Sequence, residues 1–433
     1  MLGLGVAGTA AARALAEEGA DVRVSEARRD VDVPPELRDL GIEILGGGHA
    51  PEHLEGASLV VASPGVPPDA PVMVWARQRA LPVWGELELG ARLVRVPYVA
   101  VTGTNGKTTT TGMIAACLRA SGVDAIACGN IGHPFPTAAR ETYEVLVVES
   151  SSFQLQLQWS FHPQVSVLLN VAPDHLDWHG SFERYAAAKS RIFANQTPDE
   201  THVGNRDDQA AAAISREAPC RVRWFTLGEP GPDEVGYVAG ELVAGGSLRI
   251  ASPSWVSVAM RADAAAATAA CLAFGADASS IEAGLRVFVP ARHRGEMVAT
   301  AGGVAFVDNS KATNPHAVTA AVGDLTGVVL IAGGRAKGVD LSPLGALVPR
   351  LAGVVAIGEA ADEVVATFEG RVVTRKAGSI EEATRTAFQI APADGTVLLA
   401  PGCASWDMFR DYEERGERFA AAARQLEGEV GRP

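Results

Sequence analysis

Residues 100–112 read AVTGTNGKTTTTG. Tyr98-Val99-Ala100-Val101 has the apolar run of a buried strand, and from Thr108 onward Met113, Ile114, Cys117 and Leu118 fall at helical spacing. Gly103 to Lys107 is therefore predicted to be a strand-to-helix turn. Glycines let successive backbone N–H groups curl round an anion, the helix N-terminus adds partial positive charge, and Lys107 adds a full one. Thr108 stands where a hydroxyl can serve a phosphate-bound magnesium. The usual spacing has another glycine at position 101; here that residue is Val101, so TGTNGKT is a shortened variant.

The bulk composition narrows the classes. A chain of 433 residues with 47% hydrophobic content can fill several cores, and two to four domains are expected. The net charge of −14 excludes a general nucleic-acid binder. Five cysteines (117, 128, 220, 271 and 403), with no C-x-x-C pair, point to a reducing compartment. No apolar run reaches the roughly 18 residues of a membrane span, and no charged-then-apolar leader opens the sequence. A cytoplasmic protein without membrane insertion is expected.

Outward from the phosphate loop, strand and helix signals alternate. Residues 1–30, MLGLGVAGTAAARALAEEGADVRVSEARRD, place Gly3, Gly5 and Gly8 in G-x-G-x-x-G spacing, followed by a helix and a strand over 21–25. Only Met1 and Leu2 precede these glycines, so the first strand is nearly missing, as a late start codon or a truncation would leave it. LVVASPGV (59–66) is a strand with a Pro-Gly turn. EVLVVES (144–150) and VSVLLNV (165–171) are strands, a helix begins at Ser181, and the Gly/Pro-rich stretch 228–246 suggests a hairpin excursion. An Ala-rich helix over 262–274 ends at Gly275, and Ser279 with Glu282 fits a capping box for the next one. GVAFVDNS, GVVLIAGG (327–334), GVVAIG (353–358) and TVLLAPG (396–402) are further strands, and a last helix runs from about Trp406. The predicted fold is α/β in three domains. Residues 1–88 form a Rossmann-like domain, 89–290 a central P-loop domain with a mostly parallel sheet, and 291–433 a second Rossmann-like domain.

The unusual motifs fall at strand ends, where open parallel sheets bind ligands. Glu149 ends VLVV and suits a hard cation such as Mg²⁺. NVAPDHLD gathers Asn170, Asp174, His175 and Asp177 in one loop. Lys189 shares a helical stripe with Phe182, Tyr185, Ile192 and Phe193, so it points inward. DNSKATN carries Lys311, Thr313 and Asn314, GGRAKG carries Arg335 and Lys337, and APGCASWDMF puts Ser405 at a predicted helix start. Lysines beside hydroxyls and helix N-termini make carboxylate sites. An ATP-driven ligation joins these parts: a carboxylate is phosphorylated, and an amine then attacks the acyl phosphate.

TGTNGKTT, ESSSFQL, NVAPDHLDWHGSFERYAAAKSRIF, ARHR, DNSKATN, GGRAKG and PGCASWDMFRDYEERGERF, in this order over nearly the whole chain, resemble the Mur ligases. DNPR, expected of the diaminopimelate- or lysine-adding members, is absent, and the resemblance is to the D-glutamate-adding branch. It implies an ADP-forming ligase of peptidoglycan precursor synthesis, monomeric, using ATP and two Mg²⁺ ions on the small-molecule substrates UDP-MurNAc-L-Ala and D-glutamate. Gly103, Thr104, Asn105, Gly106, Lys107, Thr108 and Thr109 would hold the ATP phosphates. Arg294, Asn309 and Lys311 would contact nucleotide or acyl phosphate. Thr108 and Glu149 would serve one Mg²⁺, and His175 with a carbamylated Lys189 the second. Val6, Ala7, Glu26, Arg28 and the Ser63-Pro64-Gly65 turn would hold the uridine diphosphate. Asn130, Ser151, Ser152 and Gln154 would hold the muramoyl-alanine part, and Thr313, Lys337, Ser405 and Tyr412 the D-glutamate. The chain departs from the family pattern at Asn309, where aspartate is usual, and at Ala259-Met260, where a His-Asn pair is usual. A folylpolyglutamate synthetase would share the phosphate loop without needing ESSSFQL; a dinucleotide-dependent dehydrogenase would leave the loop idle.

Overall fold

The strand Tyr98–Thr102 is buried at every position, so it shows no polar alternation and belongs inside a sheet covered on both faces. A computed structural model describes residues 1–253 and 258–430. It places this strand within a nine-stranded sheet. From one edge the order is Ala125–Gly129, Val145–Glu149, Tyr98–Thr102, Val165–Leu168, Thr201–Asn205, Arg221–Thr226, Glu234–Val238, Glu241–Ala244 and Leu248–Ala251. The first seven run parallel, and the last two close an antiparallel hairpin over the predicted excursion. Pairing of Val101 with Glu149 and of Thr102 with Leu168 brings the residues after 102, 149 and 168 to one end of the sheet. The crossover after Tyr98–Thr102 runs to Ala125–Gly129 on one side of it, and the one after Val145–Glu149 runs to Val165–Leu168 on the other, which makes this the topological switch point where such sheets bind ligands.

The chain divides into two compact units, Met1–Val171 with Glu183–Ser254 and Ala262–Phe288, and Ala172–Phe182 with Trp255–Arg261 and Val289–Pro433.

The first unit also contains the amino-terminal strands. Arg23–Ser25 pairs with Glu43–Leu45, and Val60–Ala62 with Val83–Gly85, all parallel. Leu2 bridges both pairs, opposite Ser25 on one side and Ala62 on the other. Its N–H donates to Val61 and its carbonyl accepts from Ser63, while Gly3 donates to Ser25. The expected missing strand is thus reduced to a stub, yet the buried Leu2 still spans the gap. The helix Val258–Phe274 begins four residues earlier than expected. The next helix, Ala278–Val287, is capped by Asp277, whose side chain accepts from Ser280 N. The Ser279–Glu282 capping box is therefore incorrect: Ser279 hydrogen-bonds to Asp277, and Glu282 pairs with Arg286 one turn on.

The second unit is built on a six-stranded sheet in the order Glu296–Ala301, Val304–Asp308, Thr396–Leu399, Val328–Gly333, Leu351–Ile357 and Val373–Lys376, antiparallel only at its first pair. Val329 and Ile331 pack on one face with Phe306 and Phe419, and Val328 and Leu330 on the other with Val318 and Phe368. The last helix is Tyr412–Val430, not a helix from Trp406. Ser405 instead opens a turn whose carbonyl accepts from Met408 and Phe409.

Candidate active site

In the first unit the loop after Tyr98–Thr102 has the backbone of an anion cradle. Gly106, with φ of 86°, is the N-cap of the helix Lys107–Ala120 and has no side chain with which to cap it. A Cβ on Gly106 would meet Asp263 Oδ1 at 2.2 Å, so only glycine fits. Lys107 Nζ donates to the carbonyls of Gly103 and Thr104, each at 3.0 Å, which folds the ammonium back over the loop. Asn105 is held by Asn170, whose Oδ1 accepts from its N–H at 2.8 Å. Thr104 Oγ1 lies 3.0 Å from the Tyr185 hydroxyl. These contacts hold the loop from Asn170, just past the neighbouring strand, and from Tyr185 on the helix Phe182–Ser190.

Glu149 ends its strand 2% exposed. Its Oε1 accepts from Asn130 Nδ2 at 2.9 Å, and its Oε2 is buried without a hydrogen-bond partner. A buried carboxylate oxygen left unpaired is costly; a cation bound there removes the cost. The donor set therefore fits a hard, oxygen-liganded ion. Lys189 is 1% exposed, so it points inward as expected and its ammonium does not reach water. Its Nζ donates to the Gly103 carbonyl at 2.7 Å.

ESSSFQL forms a one-turn helix, Ser152–Leu155, with a capping box between Ser151 and Gln154. Gln154 is occupied at both ends: its Oε1 accepts from Ser151 N and Oγ, and its Nε2 donates to Glu86 Oε2 at 2.8 Å. Burial pushes the Glu86 carboxyl up to about 7, against the hydrogen bonds from Gln154 and Phe135 N. Ser152 is buried.

At the amino-terminal turn, a Cβ on Gly8 would meet the Gly3 carbonyl at 2.2 Å, whereas one on Gly5 would meet nothing within 4 Å. The third glycine thus allows close packing, and the second leaves the backbone open to a ligand. Val6, 73% exposed, and Ala7 begin the helix beyond. Glu26 accepts from Leu4 N at 2.6 Å and from Arg28 N and Nε. Burial raises its pKa, but these hydrogen bonds outweigh it and bring the carboxyl down to about 2. Ser63 Oγ donates weakly to the Gly3 carbonyl, so the Ser63-Pro64-Gly65 turn faces the same glycines.

The second unit gathers a different set. Lys311 Nζ donates to the Tyr412 hydroxyl at 3.2 Å and lies 4.8 Å from its ring centre. Burial and the neighbouring Glu413 push the Tyr412 hydroxyl up to about 12. Arg294 Nε is buried without a partner. Asn309 follows Asp308 at the strand end, its N–H donating to Leu399. Lys337 Nζ donates to Asp174 Oδ1 at 2.7 Å, and Asn314 Nδ2 to Asp174 Oδ2 at 3.1 Å. His175, adjacent to Asp174, has a left-handed backbone with φ of 52°. Thr313 is half-buried in the turn before the helix Pro315–Val322, and Ser405 is buried.

Three supporting groups escaped the sequence reading. His293 Nδ1 and Asp308 Oδ2 form a buried pair at 2.7 Å. Arg415, fully buried, donates to Ser310 O and Oγ and to Cys403 O, and burial brings its guanidinium down to about 10. Both fall in the motifs ARHR and PGCASWDMFRDYEERGERF, but nothing in a sequence marks which charged residue of a motif turns inward. Asp263, beside Gly106, lies in a run of alanines and carried no signal.

Family models match residues 1–85 (Mur ligase MurD-like, N-terminal domain), 101–247 (Mur ligase middle domain) and 293–403 (Mur ligase, glutamate ligase domain). The chain is 43% identical to the UDP-N-acetylmuramoylalanine–D-glutamate ligase of Frankia casuarinae, over 99% of this chain and 94% of the relative. It is 42% identical to the same-named protein of Streptomyces avermitilis, over 98% and 97%. Among solved structures, a pseudomurein peptide ligase type C from Methanothermus fervidus shares the fold with a TM-score of 0.64 at 19% identity, covering 98% of both chains. The MurF ligase of Thermotoga maritima, solved in complex with ADP, does so at 0.62 and 16%, covering 95% and 96%. The chain belongs to the Mur ligase family.

Proposed function

We propose that the chain is an ATP-dependent amide ligase that joins D-glutamate to UDP-N-acetylmuramoyl-L-alanine, releasing ADP and phosphate, in the cytoplasmic assembly of peptidoglycan precursors. The observation that carries the reading is the meeting, at one end of one sheet, of a glycine turn bearing Lys107 and a buried Glu149 oxygen that makes no hydrogen bond. The alanyl carboxylate attacks the terminal phosphorus of ATP, giving an acyl phosphate and ADP. The amine of D-glutamate then attacks the acyl carbon, and phosphate leaves. Both steps build negative charge on oxygen, so fixed N–H dipoles and cations lower their barriers.

In this reading the backbone of Gly103–Thr109 cradles the phosphates, and Lys107 neutralises them. Arg294, Asn309 and Lys311 serve the nucleotide or the acyl phosphate. Glu149 and Thr108 hold one Mg²⁺, which supplies charge neutralisation at the phosphate oxygens when bound. His175 and a carbamylated Lys189 are the proposed ligands of a second ion. Val6, Ala7, Glu26, Arg28 and the turn at Ser63 take the uridine diphosphate. Ser151 and Ser152 take the muramoyl-alanine part; Gln154 and Asn130 act through Ser151 and Glu149, to which their side chains are bound. Thr313, Lys337, Ser405 and Tyr412 take D-glutamate. The functional domains are assigned as 1–88, 89–290 and 291–433, in a monomer.

Mass spectrometry of the reaction tests the proposal. Incubation with ATP, Mg²⁺, UDP-MurNAc-L-Ala and D-glutamate is expected to add one glutamyl residue to the UDP-linked substrate. A substrate recovered without added mass overturns it.

A further inference from the structure

D-Glutamate brings two carboxylates and an ammonium group. Lys337, Thr313, Ser405 and Tyr412 offer a cation and three hydroxyls, and none of them carries a negative charge to pair with an ammonium. The carboxylate in direct contact with Lys337 is Asp174, at 2.7 Å, and both side chains are only 7% exposed. Asp174 Oδ1 accepts from Lys337 Nζ and, at 2.9 Å, from His175 N; Oδ2 accepts from Asn314 Nδ2 at 3.1 Å. A carboxylate has about four lone-pair sites, so Oδ2 has room for one more donor. His175 Nε2 is 3.8 Å from Oδ2, outside hydrogen-bond reach.

The backbone is left-handed on both sides of this contact. Lys337 has φ of 58° and His175 φ of 52°, both in the left-handed region that side chains other than glycine's disfavour. Such strain persists where the surrounding structure enforces it, commonly at ligand clamps. Paired with Lys337 at 2.7 Å, the carboxylate is held in place, and one acceptor position of Oδ2 is used by none of the described residues.

We propose that Asp174 is a specificity residue of the amino-acid site: its free Oδ2 position receives the ammonium group of the incoming amino acid, while Lys337 holds a carboxylate of the same molecule. The proposal rests on the reading of Lys337 as part of the D-glutamate site. It makes the ion pair a zwitterion receptor, one charge for each sign on the ligand.

Glutarate, which is D-glutamate without its amino group, separates this role from a merely structural one. Asp174→Asn keeps the side chain's shape and, with its oxygen toward Lys337 Nζ and His175 N, puts an NH2 donor where Oδ2 would accept from the ammonium, at the loss of the Asn314 hydrogen bond. The KM for D-glutamate is expected to rise by about tenfold or more, while the inhibition constant of glutarate competing against D-glutamate changes by less than about twofold. A parallel loss for both ligands would mean that Asp174 only props Lys337, and overturns the proposal. An unchanged KM for D-glutamate overturns it equally. Thermal unfolding of the variant confirms that folded protein is being compared. Wild-type protein that binds neither compound would sink the reading of the site itself, an outcome distinct from a failure in the variant alone.

Discussion

Lys189 Nζ donates a 2.7 Å hydrogen bond to the carbonyl of Gly103, the first glycine of the phosphate loop, and lies 4.6 Å from the centre of the Tyr185 ring. A lysine that only shielded apolar surface would carry its head to water; this one is turned under the glycine loop that follows Thr102.

Conversion of that buried amine to a carbamate by CO₂ would give an anion with two hard oxygens, suited to Mg²⁺. On this account Lys189→Ala is nearly inactive, and added acetate restores part of the activity by filling the vacated ligand position. Lys189→Arg keeps the charge, cannot form the carbamate, and stays inactive. Assays of ADP formation with and without acetate check this; an arginine variant as active as the parent would contradict it.

Glu149→Gln tests the metal site without disturbing the hydrogen bond from Asn130. The Mg²⁺ concentration for half-maximal activity is expected to rise by roughly tenfold or more. Unfolding in the absence of metal and nucleotide should shift by less than about 1 kcal/mol, because Oε2 makes no hydrogen bond to lose. A Mg²⁺ titration on the purified variant, paired with a denaturant melt, reads both.

Much of this site was legible in the sequence. The phosphate loop, Glu149 and the inward Lys189 follow from local spacing, because a strand end, a glycine turn and a helical stripe are each set within a dozen residues. The pairing of Asp174 with Lys337 was not legible: it joins residues 163 apart through two left-handed backbone positions that no propensity marks. Competition between neighbouring polar side chains misled the reading of caps. Asp277 took the position assigned to Ser279, and the stretch after Ser405 closed as a turn because the helix waits until Tyr412. Gln154 spends both ends of its amide inside the protein, on Ser151 and Glu86, a pairing that local spacing does not show.

Lys337→Ala removes a proposed partner of D-glutamate and also strands a buried anion. The KM for D-glutamate should rise far more than that for ATP. Breaking one side of a buried pair should also cost roughly 3 kcal/mol of stability. Steady-state kinetics and urea unfolding separate the two effects; an unchanged KM for D-glutamate would place Lys337 outside the amino-acid site.

Glu86 should make stability depend on pH near neutrality. Its carboxyl rises from 4.5 to about 7 on folding, through burial. The folded state therefore binds more protons between those values, and the contribution is fully present below about pH 4.5 and lost as pH rises through about 7. The window is worth roughly 3 kcal/mol. Thermal unfolding of the wild type is expected to lose stability from pH 5 to 7.5 relative to Glu86→Gln, which cannot titrate. Parallel pH profiles for the two proteins would refute the assignment.

The central claim is that ATP cleavage is coupled to joining two substrates, and phosphate release measures this directly. With ATP and Mg²⁺ present, rapid release is expected only when UDP-MurNAc-L-Ala and D-glutamate are supplied together, and little when either is omitted or when L-glutamate replaces the D-isomer. Equal release without the UDP-linked substrate, or with no amino acid, would contradict the account.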